Sequence, residues 1–411
     1  MSRKILHIGT STQGGAGAAM LRIHSSLLEL GMESKVLVRD TSMQQREVYV
    51  ASDVSHRGFW YATKIGRFIR RFLHRMNCYI SNRDYILSQY AKFRHTQQCC
   101  ITLPVSEYDL SINPLVEWAD IIHLHWVEDF LDYPTFFAKV NKPIVWTFHD
   151  MNAFMGCFHH IRLRDKYATL LGNLERCCYD TKKQALSHCS NLTLVALSDE
   201  MHTYIETHEL YRGRPVFDIP NSVDTDMFTI GDTREAQSLF GLQENVFVFL
   251  FANGNLNDTE KGLQELVDAF QYVQHIPANS CLLCVGNGAI PPCSIPVIHI
   301  SKVRESATMA RLYQAANVLV MPSHQEAFPL TPIEAMSCGT PVVITPVSGA
   351  VDMMTQDTGV IAEDYSPKAI GQAIEVALER TYNSVIIRRH VLENYTLQHI
   401  GTLYRNLYNQ L

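Results

Sequence analysis

Two carboxylates, Glu326 and Glu334, flank seven residues in a stretch that runs from Pro322 to Met336. Before them an apolar run, Ala316 to Met321, has the length and composition of a buried strand. After them the spacing predicts a short helix closed by Gly339, with Thr331 as N-cap, Pro332 at the first helical position and Glu334 completing a Thr-x-x-Glu capping box. A helix that begins just beyond the carboxyl end of a parallel strand presents free amides and a positive dipole end, a site suited to phosphate or sugar oxygens. The cap alone could account for Glu334, since such a box contributes roughly 1 kcal/mol to helix stability. Glu326 lies among small and apolar loop residues, where a carboxylate has no evident folding role, and is read as functional.

Other residues offer complementary chemistry. Lys261 stands in Glu260-Lys261-Gly262, which by itself reads as a solvated turn that carries a cation into a loop after a strand. Gly14, Gly15 and Gly17 follow an apolar strand and would let backbone approach a phosphate or an acceptor closely. His149 ends the apolar run Ile144 to Phe148, whereas His123 and His125 alternate along a strand and read as satisfied core histidines.

The elements that must position these residues come in two series. The first has strands at Lys4 to Thr10, Ser34 to Arg39, Ile121 to His125, Ile144 to Phe148 and Leu192 to Leu197, with a helix from about Ala18 to Leu30. The second has strands at Val246 to Ala252, Cys281 to Val285, Val297 to Ile300, Val318 to Met321 and Pro341 to Thr345, then a mainly helical segment from Ser366. Strands alternating with helices predict an α/β chain of two doubly wound parallel sheets, and 411 residues suit two domains. The expected boundaries are 1–215, 216–390 and a final helical segment 391–411.

Composition narrows the function classes. A formal net charge of −6 without a like-charged tail argues against general nucleic-acid affinity and against disorder. The N-terminal apolar run has strand length, not that of a signal-peptide core, so a cytoplasmic protein is expected. Eleven scattered cysteines fit reduced core thiols. Cys281 and Cys284 have CxxC spacing inside a strand, where they point to opposite faces. The group Cys157, His159, His160, Cys177, Cys178, His188 and Cys189 lacks paired metal-ligand spacing and is read as packing, so no metal is expected. Residues 57–75 hold six basic and no acidic side chains. Lys64, Arg67 and Arg71 share one helical face and Phe68 and Phe72 another. That pattern suits either an ordinary surface helix or peripheral contact with an anionic membrane, at the inner face if the protein is cytoplasmic.

Taken in order, these segments resemble the retaining glycosyltransferase family 4, whose signature is Glu-x7-Glu. Ile219-Pro220-Asn221-Ser222-Val223-Asp224 is similar to its "IPNGVD" linker, and Lys261-Gly262, Val285-Gly286-Asn287-Gly288 and Cys338-Gly339-Thr340-Pro341 also match. The resemblance is dense in the C-terminal half and thin before it. It implies a GT-B fold, two Rossmann-like domains facing a cleft, with the last helix returning to the first domain. It implies a hexosyltransferase with a nucleotide-diphosphate sugar as donor, a glycan or lipid-linked acceptor, no cofactor and no nucleic acid, acting in bacterial polysaccharide assembly. Glu326, Lys261 and His149 then form the catalytic set. Glu334 would bind ribose, the amides of Phe328 and Leu330 the sugar and phosphate, and Gly14, Gly15, Gly17 and Asn253 complete the donor site. Retention in this family is attributed to attack from the leaving-group side, which calls for no protein nucleophile.

Two rival readings stand beside it. The family commonly has an arginine shortly before the lysine, and Phe251 to Thr259 contains none, which motivates a catalytically silent homologue that binds a glycan or a partner. Gly15-Ala16-Gly17 with Asp40 motivates a dinucleotide oxidoreductase, but Met20 occupies the place of the third glycine.

Overall fold

A computed structural model describes residues 3–41, 45–51, 64–76, 78–79, 81–93, 101–301 and 303–411. The chain falls into two compact units. One comprises Met1–Ala196, His202–Phe217 and Arg405–Leu411, the other Leu197–Met201 and Asp218–Tyr404.

The first unit is built on β1 (Lys4–Ser11), β2 (Glu33–Asp40), β3 (Val48–Val50), β4 (Ile121–Leu124), β5 (Ile144–Thr147), β6 (Leu192–Ala196) and β7 (Val216–Asp218). They form one parallel sheet in the order β3-β2-β1-β4-β5-β6-β7. β4 and β5 are buried at every position, because helices cover both faces of such a sheet and leave no face for polar alternation. The chain winds outward from β1 in one direction and from β4 in the other, so the order reverses between these two strands. Loops at their carboxyl ends splay apart there and leave room for a ligand.

The second unit repeats the plan with β8 (Phe247–Asn255), β9 (Ser280–Asn287), β10 (Val297–Ile300), β11 (Val318–Met321), β12 (Val342–Ile344) and β13 (Gly359–Ile361), ordered β10-β9-β8-β11-β12-β13. The reversal falls between β8 and β11. Two cores flank this sheet: Val248 and Leu250 of β8 enter one, and Phe249 and Phe251 the other. Cys281 and Cys284 likewise divide between the two cores, as strand alternation requires.

Several elements differ from the sequence expectation. Helix α1 (Gly14–Glu29) begins four residues earlier than expected and takes the glycine turn into its first turn. Gly17 makes this possible, since a Cβ there would lie 2.5 Å from the carbonyl carbon of Thr12. Strands β3, β7 and β13, three residues each, were not expected; they are too short to show a period. Of residues 57–75, 57–63 lie outside the described residues, and the rest is helix α2 (Lys64–Arg75). Phe68 and Phe72 are exposed on it, 71% and 57%, whereas an ordinary surface helix would turn such rings to a core. Helix α3 (Leu330–Ser337) follows β11 and its loop, and helix α4 (Leu397–Asn409) ends the chain.

Candidate functional site

In the second unit, Lys261 closes a short turn after β8 that Asp258 caps by accepting the Glu260 amide at 3.1 Å. Gly262 follows with φ +73, and a Cβ on it would lie 2.0 Å from the carbonyl oxygen of Pro322. Only glycine satisfies both conditions. The turn is thereby pressed against the loop after β11, and Lys261 Nζ donates to Glu326 Oε1 at 2.7 Å. Both side chains are partly buried, 26% and 15% exposed. Burial lowers the proton affinity of Lys261, but the charge and hydrogen bond of Glu326 outweigh it and the pKa is raised above the ordinary lysine value. Glu326 therefore has a structural partner that the sequence reading did not foresee.

The loop that carries Glu326 is fixed from three sides. Its His324 amide donates to the Glu260 carbonyl at 2.8 Å, and His324 Nε2 meets Glu265 Oε1 at 2.8 Å. Asn221 Nδ2, from the turn that opens the second series, donates to the Phe328 carbonyl at 2.9 Å. Gly349, at φ +68, lies where a Cβ would be 2.0 Å from the Ala327 carbonyl oxygen. The Phe328 side chain is buried in the core, leaving its backbone as the part that can serve a ligand.

The capping box is corrected. Helix α3 starts at Leu330 with Pro329 as N-cap, and no side chain caps it. Thr331 Oγ1 is aimed at Met321 Sδ, 3.8 Å away. The Leu330 amide has no acceptor among the described residues, as expected for the first residue of an uncapped helix. Glu334 is buried, and its Oε2 accepts the Tyr313 hydroxyl at 2.9 Å. Asn253 lies near the end of β8, where Nδ2 donates to the Asn255 carbonyl at 2.6 Å and the backbone carbonyl faces Gly286. A Cβ on Gly286 would stand 1.8 Å from that oxygen, so glycine at 286 is required by strand packing.

In the first unit, Gly14 has φ +75 and, like Gly15, has nothing within 4 Å of a notional Cβ. Gly14 is thus demanded by conformation and Gly17 by packing, and the backbone at Gly14 and Gly15 is open to approach. His149 follows β5 and is half-buried. Its pKa falls to about 4 through burial, against the raising effect of Asp150. Its Nε2 meets His125 Nδ1 at 3.1 Å.

Asp150 accepts the Trp126 indole at 2.7 Å and pairs with His159 Nδ1 at 2.6 Å. Burial pushes its carboxyl up, but His159 and these donors hold it at about 2. Thr102 Oγ1 links His159 Nε2, at 3.0 Å, to the buried Glu128, whose carboxyl burial raises to about 7. Lys182, fully buried, donates to the Asn152 and Met155 carbonyls.

Cys157, Cys178 and Cys189 are buried thiols. Among the described residues, the group with metal-ligand spacing is His7, His123 and His125, whose ligand atoms lie within 4.8 Å of one another. His123 is held by Tyr408 Oη and Thr147 Oγ1, each at 2.8 Å.

Sequence reasoning missed Tyr313, Asn221, His324 and the Asp150–His159 pair. Asn221 was visible inside a quoted motif, but its contact with residue 328 spans 107 positions. Nothing in the local pattern around Tyr313 points to Glu334.

Residues 247–380 match the family described as Glycosyl transferases group 1. The D-inositol 3-phosphate glycosyltransferase of Segniliparus rotundus is 33% identical over 196 residues, 43% of each chain. The capsular polysaccharide biosynthesis glycosyltransferase CapM of Staphylococcus aureus is 25% identical over 195 residues, 44% of this chain and 51% of CapM. The match thus spans about half or less of these curated relatives. The Anabaena protein HepE, solved in complex with UDP and glucose, superposes with a TM-score of 0.65 over all of both chains at 15% identity, a likeness of fold alone. The chain carries a glycosyltransferase group 1 domain at residues 247–380 and has the GT-B fold of two parallel-sheet, Rossmann-like units.

Proposed function

We propose that this protein is a retaining hexosyltransferase that moves a sugar from a nucleotide-diphosphate donor to a glycan or lipid-linked acceptor, in bacterial surface polysaccharide assembly. The observation that carries the reading is the Lys261–Glu326 pair, which joins the loops after β8 and β11 where the strand order of the group 1 domain reverses. That position is where open α/β sheets take ligands.

In this reading Lys261 turns from Glu326 to the departing diphosphate and offsets its developing charge, with the Leu330 amide as a second donor. Glu326 orients the sugar, Glu334 meets the ribose, Phe328 and Asn253 contribute backbone and amide contacts, and His149 with Gly14, Gly15 and Gly17 is assigned to donor binding. The bond from the anomeric carbon to the phosphate oxygen breaks, and the acceptor oxygen bonds to that carbon on the same face. The acceptor proton passes to the leaving phosphate oxygen. No cofactor or metal enters this scheme. Helix α2, with exposed Ile65, Phe68 and Phe72 beside Lys64 and Arg71, would rest on the inner face of the cytoplasmic membrane near a lipid-linked acceptor.

The test is turnover of UDP-, GDP- and ADP-sugars with the anomeric configuration of the product read by NMR, alongside melting temperatures with each nucleotide and with NAD(P). HepE was solved with UDP, which makes UDP the first base to try. Stabilisation by one nucleoside diphosphate and an α-linked product from an α-linked donor are expected. An inverted product removes the retaining assignment. Stabilisation by none, without turnover, points to a silent homologue, and stabilisation by NAD(P) alone to an oxidoreductase.

A further inference from the structure

His7, His123 and His125 share one face of the first sheet, because His7 stands opposite His123 in the β1–β4 register and His125 is two residues on. His149, beyond β5, extends the row. His7 Nδ1 meets His125 Nε2 at 3.0 Å, and His125 Nδ1 meets His149 Nε2 at 3.1 Å. Three rings are thus joined end to end by two hydrogen bonds, running from a fully buried ring to a half-buried one.

A neutral imidazole carries one proton, and each link in the row holds one. The protons must therefore lie all on Nδ1 or all on Nε2. With all on Nε2, His7 would hold an N–H at its buried Nε2, an atom without a partner. With all on Nδ1, that atom is a bare lone pair, and the last N–H stands at His149 Nδ1, which meets no acceptor among the described residues. A buried N–H without an acceptor is among the rarest features of folded proteins, rarer than an under-used acceptor. We propose that His7 and His125 are positioning residues that lock His149 in its Nδ1–H tautomer, so that it offers a hydrogen-bond donor to an oxygen of the bound sugar or phosphate. The ligand in this statement rests on the proposed function, whereas the tautomer does not.

The surroundings agree. Burial lowers the proton affinity of all three rings, which keeps them neutral near pH 7. His24, whose ring centre is 6.1 Å from that of His7, is engaged by Ser34 Oγ and the Arg46 carbonyl and supplies no bond to His7 Nε2. A metal held by His7, His123 and His125 would have to displace the hydroxyl or imidazole partners of His123 and His125.

Long-range proton–nitrogen NMR of the full-length protein labelled with nitrogen-15 histidine separates the two tautomers, and loss of a signal in His149→Gln assigns the ring. The expected result is Nδ1–H at His149 in the wild type and in His7→Asn, whose amide can still donate to His125. In His7→Leu the lock is released, the tautomers mix, and kcat/KM for the donor falls about tenfold. An Nε2–H signal from wild-type His149 overturns the proposal, as does one equivalent of zinc retained on these rings after chelation. The wild-type spectrum decides the tautomer even if His7→Leu does not fold. If that spectrum shows Nδ1–H while His149→Gln turns over donor at the wild-type rate, the lock stands and the donor-binding role of His149 falls.

Discussion

Lys261 and Glu326 are 65 residues apart in the chain and 2.7 Å apart in the structure. The pair presents a cation held in register by a carboxylate. Lys261→Ala and Glu326→Gln should each lower kcat with a nucleotide-sugar by at least about a hundredfold, the cost of losing one well-placed charge or donor in a transition state. Circular dichroism should show the fold retained. Near-normal turnover in both variants would remove the assigned roles.

The Tyr313 hydroxyl is one donor to the buried carboxylate of Glu334. Tyr313→Phe should destabilise the protein by about 1–3 kcal/mol in urea titration, the range for depriving a buried acceptor of a partner. If Glu334 also holds the ribose, donor KM rises in the same variant more than kcat falls. An unchanged KM would assign Glu334 to the core.

Acid should weaken the first unit. Burial lowers the proton affinity of His7, His123, His125 and His149, the last to about 4 from an ordinary 6.5. As pH falls below 6.5 the unfolded chain takes up protons that the native rings refuse. Their contribution is whole above 6.5 and lost toward 4, with a slope of up to about 1.4 kcal/mol per pH unit for each ring. His159 and Glu128, whose pKa values are raised, the latter to about 7, act with the opposite sign and lose their contribution as pH rises. The melting temperature should therefore fall from pH 6.5 to pH 4.5, and less steeply in His7→Asn. A flat profile would contradict the buried, neutral histidine row.

Helix α2 exposes Ile65, Phe68 and Phe72, and Met76 just after it is exposed too, between 57% and 71%. Replacing Phe68 and Phe72 by serine should reduce partition into vesicles rich in phosphatidylglycerol by at least about tenfold, since burial of each ring contributes on the order of 2 kcal/mol. Equal binding of the variant and the wild type would separate this helix from membranes.

Much of the second unit was legible in the chain. The strand at Val318–Met321 stands where its apolar run placed it, because a strand covered on both faces must be apolar throughout, and the edge strand at Val297–Ile300 also stands where expected although none of its residues is buried. The start of α3 was not legible. Thr331, Pro332 and Glu334 satisfy the cap pattern locally, yet the helix opens two residues earlier, at Leu330, and Glu334 turns to Tyr313. A local pattern competes with tertiary partners it cannot specify.

By itself the sequence determined that strands and helices alternate in two series, that glycines stand where the chain turns with positive φ, and that a lysine and two glutamates lie in loops after strands. Periodicity and backbone sterics are local properties, so one dimension carries them. The tertiary structure alone decided which of these residues meet: Lys261 with Glu326, Glu334 with Tyr313, and His7 with His125 and His149. Strand order sets those meetings. Parallel sheets bring together the carboxyl ends of strands far apart in the chain, and no spacing along it records which strands become neighbours.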